Sequence, residues 1–157
     1  MKVLLIVVGK TTDKRIEALT AEYVQRASHY VPLQVEVIPD VKATKGQSSQ
    51  SVKDREGEAV LRLLQDGDCV VLLDERGKEM RSMEYAKYLE KKMHSGARRL
   101  VFVVGGAFGF SEQMYARANE MMSLSKMTFT HQMVRLFFAE QYYRAMTILK
   151  GEPYHNE

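Results

Sequence analysis

The chain has 157 residues, of which 45% are hydrophobic and 27% are charged, and its formal net charge is +3. This composition is typical of a globular protein and excludes a disordered one, and apolar runs such as 3–8 and 69–73 are far shorter than the roughly 20 residues that span a bilayer. We expect a single domain over residues 1–157, with no membrane segment. The small positive charge is compatible with a nucleic-acid partner but does not require one.

The N-terminus and the single cysteine bear on the compartment. One Lys and six apolar residues form too short an apolar region for a signal peptide, so we interpret residues 2–8 as a strand. Cys69 lies in a strand-like apolar run and has no cysteine to pair with, which favours a reducing compartment. The sequence therefore predicts a cytoplasmic protein.

Apolar runs with strand character alternate with segments of helical periodicity. The predicted strands are 2–8, 33–38, 69–73, 100–104 and 121–125, and the predicted helices are 13–28, 52–65, 82–95, 111–120 and 131–150. This alternation is typical of parallel strands joined by crossover helices, so the fold class is α/β.

Two segments between these runs carry further expectations. In the first helix, Ile16, Leu19, Tyr23 and Val24 form one apolar stripe, which we expect to cover a face of the sheet. The stretch 43–51 is rich in Ser, Gln and Gly and is predicted to be a mobile surface loop.

Neither glycine-containing turn after a strand matches a phosphate-binding fingerprint. Gly9-Lys10 lacks the glycine five residues earlier that a P-loop requires, so Lys10 is interpreted as solvated. The turn GGAFG at 105–109 has glycines at the wrong offsets for dinucleotide binding, but it lets a ligand approach the backbone. Ser111 is expected to cap the next helix, and Glu112 in its first turn favours a neutral or cationic ligand over a phosphate. Taken alone, a simple strand-to-helix turn explains this segment equally well.

The last predicted helix, 131–150, has polar residues on two nearly opposite sides. His131 and Arg135 lie on one side, and Glu140, Arg144 and Thr147 lie on the other. Apolar side chains fill both flanks, so we expect this helix to pack against its own sheet and against a second subunit. A central core helix in a monomer is the alternative.

The residues before and after this helix allow two interpretations each. Thr130 is predicted to cap the helix, and His131 is interpreted as a partly exposed residue satisfied by solvent. Near the C-terminus, Tyr154 has a ring that can stack on a base and His155 can exchange protons near neutral pH, although a chain end is expected to be disordered.

The spacing of Glu140 and Arg144 also has two interpretations. At i, i+4 they most often form a surface ion pair; if they line a pocket, they position a substrate.

Several segments match a known family when they are taken together. They are KVLLIVVGK at 2–10, Glu56-Gly57, LLDERGK at 72–78, VVGGAFG at 103–109, LSKMTF at 124–129, HQMVR at 131–135, EQYYRA at 140–145 and PYH at 153–155. This set resembles the bacterial large-subunit ribosomal RNA pseudouridine N3-methyltransferases, which belong to the SPOUT class. The family usually has Pro or Ser where Ala107 stands, and Pro where Thr130 stands.

The resemblance implies a fold, a cofactor and a set of site residues. The fold is an α/β, mostly parallel sheet flanked by helices, with a deep trefoil knot in the C-terminal part, and the protein is a homodimer that binds S-adenosylmethionine and no metal. Carried over by position, the cofactor contacts are Leu73, Gly105, Leu124, Ser125, Lys126, Met127, Thr128 and Phe129. The residues on the catalytic side are Glu140, Arg144, Tyr154 and His155, with Glu140 and His155 as alternative bases and the tail ordering when RNA binds.

The implied activity is transfer of a methyl group from S-adenosylmethionine to N3 of a pseudouridine in helix 69 of 23S ribosomal RNA, on the assembled 70S ribosome. One alternative is a dimeric module that binds S-adenosylmethionine or a nucleotide and associates with ribosomes without chemistry. A nucleotide-binding regulator of the flavodoxin-like kind is a second, which Glu112 disfavours.

Overall fold

The computed structural model describes residues 1–41 and 46–157. Ten elements follow one another along the chain: β1 (Lys2–Val8), α1 (Lys14–Ala27), β2 (Leu33–Ile38), α2 (Ser49–Leu63), β3 (Cys69–Glu79), α3 (Ser82–Met93), β4 (Arg99–Val104), α4 (Glu112–Arg117), β5 (Glu120–Ser123) and α5 (His131–Leu149). Their types and their order confirm the elements predicted from the sequence.

Helix α2 begins earlier than predicted, at Ser49 instead of 52. The side chain of Ser48 accepts a hydrogen bond from the Ser51 N–H and caps the first turn. The first residues of α2 therefore belong to the segment 43–51, which was predicted to be a loop. Residues 43–45 of that segment lie outside the described residues.

Strand β3 is longer than predicted because it pairs with β5 twice. Leu73 pairs with Met122, and Lys78 pairs with the same residue, so residues 74–77 bulge out of the ladder. The bulge carries part of the segment LLDERGK to the carboxyl end of the sheet. Strand β5 itself ends at Ser123, two residues before its predicted end.

The five strands form one sheet in the order β2-β1-β4-β3-β5, and every pairing between them is parallel. Strands β1 and β4 and residues 70–72 of β3 are almost entirely buried because helices cover both faces, as parallel sheets require. One row across the sheet consists of Val35, Leu5, Phe102, Val71 and Glu120.

The helices pack in one layer on each face of the sheet. On one face, α5 places Phe138 with its ring centroid 4.8 Å from that of Phe102, and Leu89 of α3 lies in the same core. On the other face, Val60 of α2 and Met114 of α4 pack against the sheet. The structure is thus a parallel sheet flanked by helices, in agreement with the predicted fold class.

Helix α1 departs from the expectation that its apolar stripe covers the sheet. It packs mainly against α5, and Leu19 in the middle of the predicted stripe remains exposed. Only Ala27 at the end of the helix is fully buried in the core, with Val24 packed beside it. The physical reason is that α5 already occupies the sheet face in front of α1.

Helix α5 lies between α1 and α3 on the face of the sheet. Part of its second apolar flank is covered within the chain. Tyr143 packs against Tyr23 of α1 and against Tyr30, which follows α1. Phe137 on the same helix stays exposed. Within residues 1–41 and 46–157, no helix has both the length and the apolarity needed to cross a membrane.

Candidate functional site

A cleft of about 910 Å³ lies at the edge of the sheet where β3, β4 and β5 end. Parallel strands direct their carboxyl ends to the same edge, so the loops after these three strands meet there. The walls are the bulge 74–76, the glycine turn 105–110 and the loop 124–130, and His131 closes one end.

Seven of the eight predicted cofactor contacts line this cleft. They are Leu73, Gly105, Leu124, Ser125, Met127, Thr128 and Phe129. The eighth, Lys126, does not line it; its side chain is exposed, with Nζ 4.0 Å from a carboxylate oxygen of Glu79. The fold therefore brings together residues that are up to 56 positions apart in the sequence, from Leu73 to Phe129.

The glycine turn is closed by a hydrogen bond from the Gly109 N–H to the Gly106 carbonyl, 3.1 Å long. A Cβ atom at Gly105 would lie 3.3 Å from the Phe110 ring, and a Cβ atom at Gly106 would overlap the Glu56 carboxylate. A side chain at Gly106 therefore requires Glu56 to move, whereas at Gly105 the contact with Phe110 would be tight. The following Ser111 accepts a hydrogen bond from the Met114 N–H, which confirms the predicted cap.

Glu56 of α2 packs against the glycine turn at Gly106. Its side chain is buried, with the residue 8% exposed, and its carboxylate packs directly on Gly106. Burial raises the pKa of Glu56, and the nearby charge of Asp40 raises it further. The next residue, Gly57, packs in the same way against the Ser111 hydroxyl. Glu56-Gly57 is one of the segments that carry the family resemblance, but the resemblance assigned the pair no role.

A second group that sequence reasoning missed lies on the bulge of β3. The Asp74 carboxylate accepts hydrogen bonds from the Tyr115 hydroxyl and from the backbone N–H of Arg76. Burial would raise the pKa of Asp74, but these hydrogen bonds and the Arg76 charge outweigh burial and lower it, so this residue is a carboxylate at neutral pH. The Arg76 guanidinium stacks on the Tyr115 ring at 4.7 Å from the centroid.

The loop 124–130 is ordered by its own hydroxyl groups. Ser123 donates to the Ser125 carbonyl over 2.8 Å, and the Ser125 hydroxyl accepts from the Met127 N–H over 2.9 Å. Thr130 accepts from the Met133 N–H, which confirms the predicted helix cap. These bonds hold the loop in place beside the cleft, so its other backbone groups are available to a ligand.

The start of α5 is fixed to the end of β1. The buried guanidinium of Arg135 donates to the carbonyl groups of Val8 and Gly9, each over 2.7 Å. Burial lowers the pKa of Arg135, and the charge of Asp40 partly opposes this. His131 is half-buried at the wall of the cleft.

The four predicted catalytic residues also come together, at the far end of α5. Glu140 accepts hydrogen bonds from the Arg144 guanidinium and, over 2.9 Å, from the Tyr154 hydroxyl. The Arg144 guanidinium lies 3.2 Å from Nδ1 of His155 and stacks on the Tyr154 ring. Burial raises the pKa of Tyr154, and its hydrogen bonds to Tyr23 and Glu140 raise it further.

The expectation of a disordered C-terminus is wrong. The Tyr30 hydroxyl donates to the Glu152 carboxylate, and the Glu152 N–H donates to the Thr147 carbonyl over 2.9 Å. Tyr154 and His155 are both half-buried. The tail folds back because Tyr154 donates a hydrogen bond to Glu140 and His155 lies against the Arg144 guanidinium, both on α5.

The two sets of predicted residues form separate clusters within one chain. Glu140 follows His131 by nine positions on one continuous helix, a distance of about 14 Å along the axis. None of Glu140, Arg144, Tyr154 and His155 lines the cleft.

The cleft has the chemistry to hold S-adenosylmethionine. Leu73, Leu124 and Phe129 provide apolar walls, and Gly105 and Gly106 line the cleft with backbone and no side chain. Asp74 and Glu75 place negative charge at the edge, which suits a cationic sulfonium. In the part of the chain that the structure describes, no group of three or more His, Cys, Asp or Glu residues is arranged to hold a metal ion.

A parallel sheet with helices on both faces and a ligand cleft at its carboxyl edge defines the class: an α/β protein with its binding site at the strand ends. The family described as "Predicted SPOUT methyltransferase" matches residues 1–155. This chain belongs to the SPOUT methyltransferase family.

Curated relatives match over their whole length. The ribosomal RNA large subunit methyltransferase H of Parabacteroides distasonis is 57% identical over 157 residues, and that of Porphyromonas gingivalis is 55% identical over 157 residues, with 100% of both chains covered in each case. The protein of the same name from Christiangramia forsetii is 52% identical over 156 residues, which is 99% of each chain.

A solved structure supports the fold. The crystal structure of tRNA (m1G37) methyltransferase from Aquifex aeolicus superimposes with a TM-score of 0.57 at 14% identity, over 100% of this chain and 76% of that one. At this level of identity the likeness concerns the fold alone.

Proposed function

We propose that this protein transfers a methyl group from S-adenosylmethionine to large-subunit ribosomal RNA. The observation that carries this proposal is the convergence of seven family-like cofactor positions on one cleft, in a chain 52–57% identical to ribosomal RNA methyltransferases. The finer assignment is N3 of a pseudouridine in helix 69 of 23S ribosomal RNA, methylated on the assembled 70S ribosome of the cytoplasm. It rests on the sequence resemblance.

When bound, S-adenosylmethionine supplies an electrophilic methyl group on a cationic sulfur. We infer that Leu73, Leu124 and Phe129 enclose the cofactor, and that backbone groups of Gly105 and the loop 124–130 hold its polar atoms. Fixing the methyl group in line with the attacking nitrogen supplies much of the acceleration. The C-terminal knot implied by the resemblance would explain how loops distant in sequence form one rigid cleft.

The attacking N3 must lose its proton, and the tail cluster contains the acceptor. Arginine has only hydrogen-bond donors, so His155 Nδ1 accepts from Arg144 and the neutral imidazole carries its proton on Nε2. That arrangement leaves no free basic nitrogen on His155. Arg144 and Tyr154 both donate to Oε1 of Glu140 and only the Gln141 amide donates to Oε2, so a lone pair of Oε2 remains and favours Glu140 as the base. Arg144 and Tyr154 then hold the Glu140 carboxylate in position.

The separation of the two clusters along α5 supports a homodimer as the active form. A second copy can place its tail cluster beside the cleft of the first, which the tail of the same chain does not reach. We propose that each chain acts as one domain and that each site combines a cleft from one subunit with a tail cluster from the other.

Transfer of labelled methyl from S-adenosylmethionine tests the proposed function. The substrates are intact ribosomes lacking the modification, with free ribosomal RNA and separated subunits in parallel. Label in the pseudouridine loop only with assembled ribosomes supports the full assignment. Cofactor binding without label on any substrate would instead support the non-catalytic, ribosome-associated module.

Replacing the two candidate bases separates them. Glu140→Gln is expected to abolish turnover while leaving the affinity for S-adenosylmethionine unchanged, and His155→Gln is expected to retain measurable turnover. The opposite pattern would assign the base to His155.

A further inference from the structure

The mouth of the cleft carries two side chains that the cofactor assignment does not use. Phe108 stands on the glycine turn with 52% of its surface exposed, and Arg76 stands on the bulge of β3 with 64% of its side chain exposed. Both line the same cleft as the predicted cofactor contacts.

Phe108 is presented to solvent by a rigid turn. The Gly109 N–H donates to the Gly106 carbonyl across the residue, Gly109 has a φ of +86°, and Glu56 packs against the turn from below. The neighbouring ring of Phe110 points inward and is buried, with its centroid 5.9 Å from that of Tyr115. Phe108 is not among the buried core residues and is 52% exposed, so part of its ring surface is available to a planar ligand.

Arg76 is an oriented cation. Its guanidinium stacks on Tyr115, and its Nε lies 3.4 Å from an Asp74 oxygen. Asp74 has a side chain only 9% exposed and is itself held by the Tyr115 hydroxyl. The guanidinium is thus held at one point of the cleft lining, and 64% of the Arg76 side chain remains exposed to solvent.

Lys53 adds a second positive charge to the rim. It lies on α2, half-buried, and lines the cleft beside Gly105 and Gly106. An exposed aromatic ring and two cations on the lining of one cleft are the combination that proteins use for unpaired nucleotides, with the base stacked on the ring and the phosphates on the cations.

We propose that Phe108 and Arg76, with Lys53, form a docking surface for the single-stranded nucleotides that flank the target base: one flanking base stacks on Phe108, and an adjacent phosphate binds Arg76. This inference rests on the proposed function, because a target base that reaches the methyl group at the cleft floor must bring its neighbours to the rim. According to this proposal, residues that line the cleft contact the RNA directly, in addition to the tail cluster.

Two pairs of variants test the surface. Phe108→Ala and Arg76→Met are expected to raise KM for ribosomes on the order of 10-fold, a larger change than that in the calorimetric affinity for S-adenosylmethionine measured beside it. Phe108→Trp should restore KM because it keeps a stacking face, and Phe108→Leu should not. Val37→Ala and Arg62→Ala, exposed residues away from the cleft, serve as controls and should match the parent protein.

Salt dependence separates RNA contact from a merely structural effect. Arg76→Met should reduce the slope of log KM against log salt concentration by about 1, since one phosphate contact is lost, whereas Phe108→Ala should leave the slope unchanged. Sedimentation with ribosomes measures docking without chemistry and should show the same ranking of variants. Because sedimentation needs no methyl transfer, it still tests the docking surface if the parent protein is inactive. An inactive parent protein would refute the proposed function but not the docking surface.

Three results would overturn the proposal. Unchanged ribosome binding in both variants would remove the surface, and a parallel loss of cofactor affinity would place Phe108 in the cofactor pocket. An increase in KM with the salt slope unaltered in Arg76→Met would indicate that the partner at this rim is a protein.

Discussion

The side chain of Glu56 on α2 limits which residues the glycine turn can accept at position 106. The carboxylate of Glu56 occupies the space that any side chain at Gly106 would need. It lies there because α2 packs on the carboxyl end of the sheet, with Gly57 packed against Ser111 beside it. The turn and the helix therefore constrain each other.

Gly106→Ala is expected to destabilise the protein by about 1–3 kcal/mol through overpacking and to weaken S-adenosylmethionine binding. Glu56→Ala makes room for the methyl group, so the double variant should lose less than the sum of the two single losses. Urea unfolding and calorimetric titration measure both effects. Ala107→Ser, at an exposed neighbouring position, is the control. Additive losses would contradict the proposed overlap.

Asp68 and Arg99 form a buried ion pair at the opposite end of the sheet. The Arg99 guanidinium donates to both Asp68 oxygens over 2.7 and 2.9 Å, and the Asp68 side chain is 2% exposed. Burial raises the pKa of Asp68, but the hydrogen bonds from Arg99 and the Gln65 N–H outweigh it, so the pKa lies below its usual value. Folding is therefore favoured more when Asp68 is ionised.

The sign of the pH dependence follows from this lowered pKa. The contribution is fully present above the unfolded-state pKa of about 3.9 and is lost as the pH falls through the lower folded-state pKa. Arg99→Met should reduce the free energy of unfolding at pH 7 by about 3 kcal/mol, and the loss should shrink towards pH 2. Urea unfolding at several pH values measures it, with exposed Arg98→Met as control. A loss of equal size at pH 2 and pH 7 would contradict this account.

At the scale of elements, the N-terminus of α5 joins three parts of the site. Arg135 binds the end of β1, Thr130 ends the loop 124–130 and caps the helix, and His131 lines the cleft. Thr130 has φ −62° and ψ 148°, a backbone conformation that proline also adopts. The family's proline is thus compatible with this backbone, and threonine contributes the cap instead.

Thr130→Ala should lower the free energy of unfolding by about 1 kcal/mol because the Met133 N–H loses its acceptor. Thr130→Ser keeps the hydroxyl and should be close to neutral. In Thr130→Pro, the lost cap is offset by about 0.4–1 kcal/mol from the stiffer unfolded chain. Thermal unfolding of the three variants ranks them, and an alanine variant as stable as serine would show that the cap contributes nothing.

At the scale of the whole molecule, the cleft and the tail cluster lie near different parts of α5, and this separation bears on how the protein assembles. Glu140 lies about 14 Å along α5 from His131 at the cleft, and in the proposed dimer the cleft and the tail cluster that act on one base come from different chains. A two-fold dimer in which α5 takes part would bring each tail to the other cleft.

Mixing two inactive variants tests this arrangement. Gly106→Leu clashes with Glu56 and so distorts the glycine turn of the cleft, and Glu140→Gln inactivates the tail cluster, so each homodimer should be inactive. If subunits exchange at random, half the dimers carry one intact composite site, and methyl transfer should recover to about a quarter of the parent activity. Mass in solution checks that both variants remain dimeric. No recovery despite demonstrated exchange would place both clusters in the same chain's site.

The sequence alone predicted the order and type of the ten elements, because each apolar run has a period that only one secondary structure satisfies. It also predicted the caps at Ser111 and Thr130, which depend on local spacing. The resemblance supplied the cofactor positions, of which Lys126 alone turned away from the cleft. These are properties that a residue and its near neighbours determine.

Only the tertiary structure decided the contacts between distant segments. The burial of Glu56 under Gly106, the fixed guanidinium of Arg76 and the ordered tail of Tyr154 and His155 each require two or three elements to pack together. Local periodicity contains no information about such contacts, since their energy arises from burial and charge pairing between residues far apart in the chain. The elements of this protein follow from its sequence pattern, and its cleft follows from the packing of those elements.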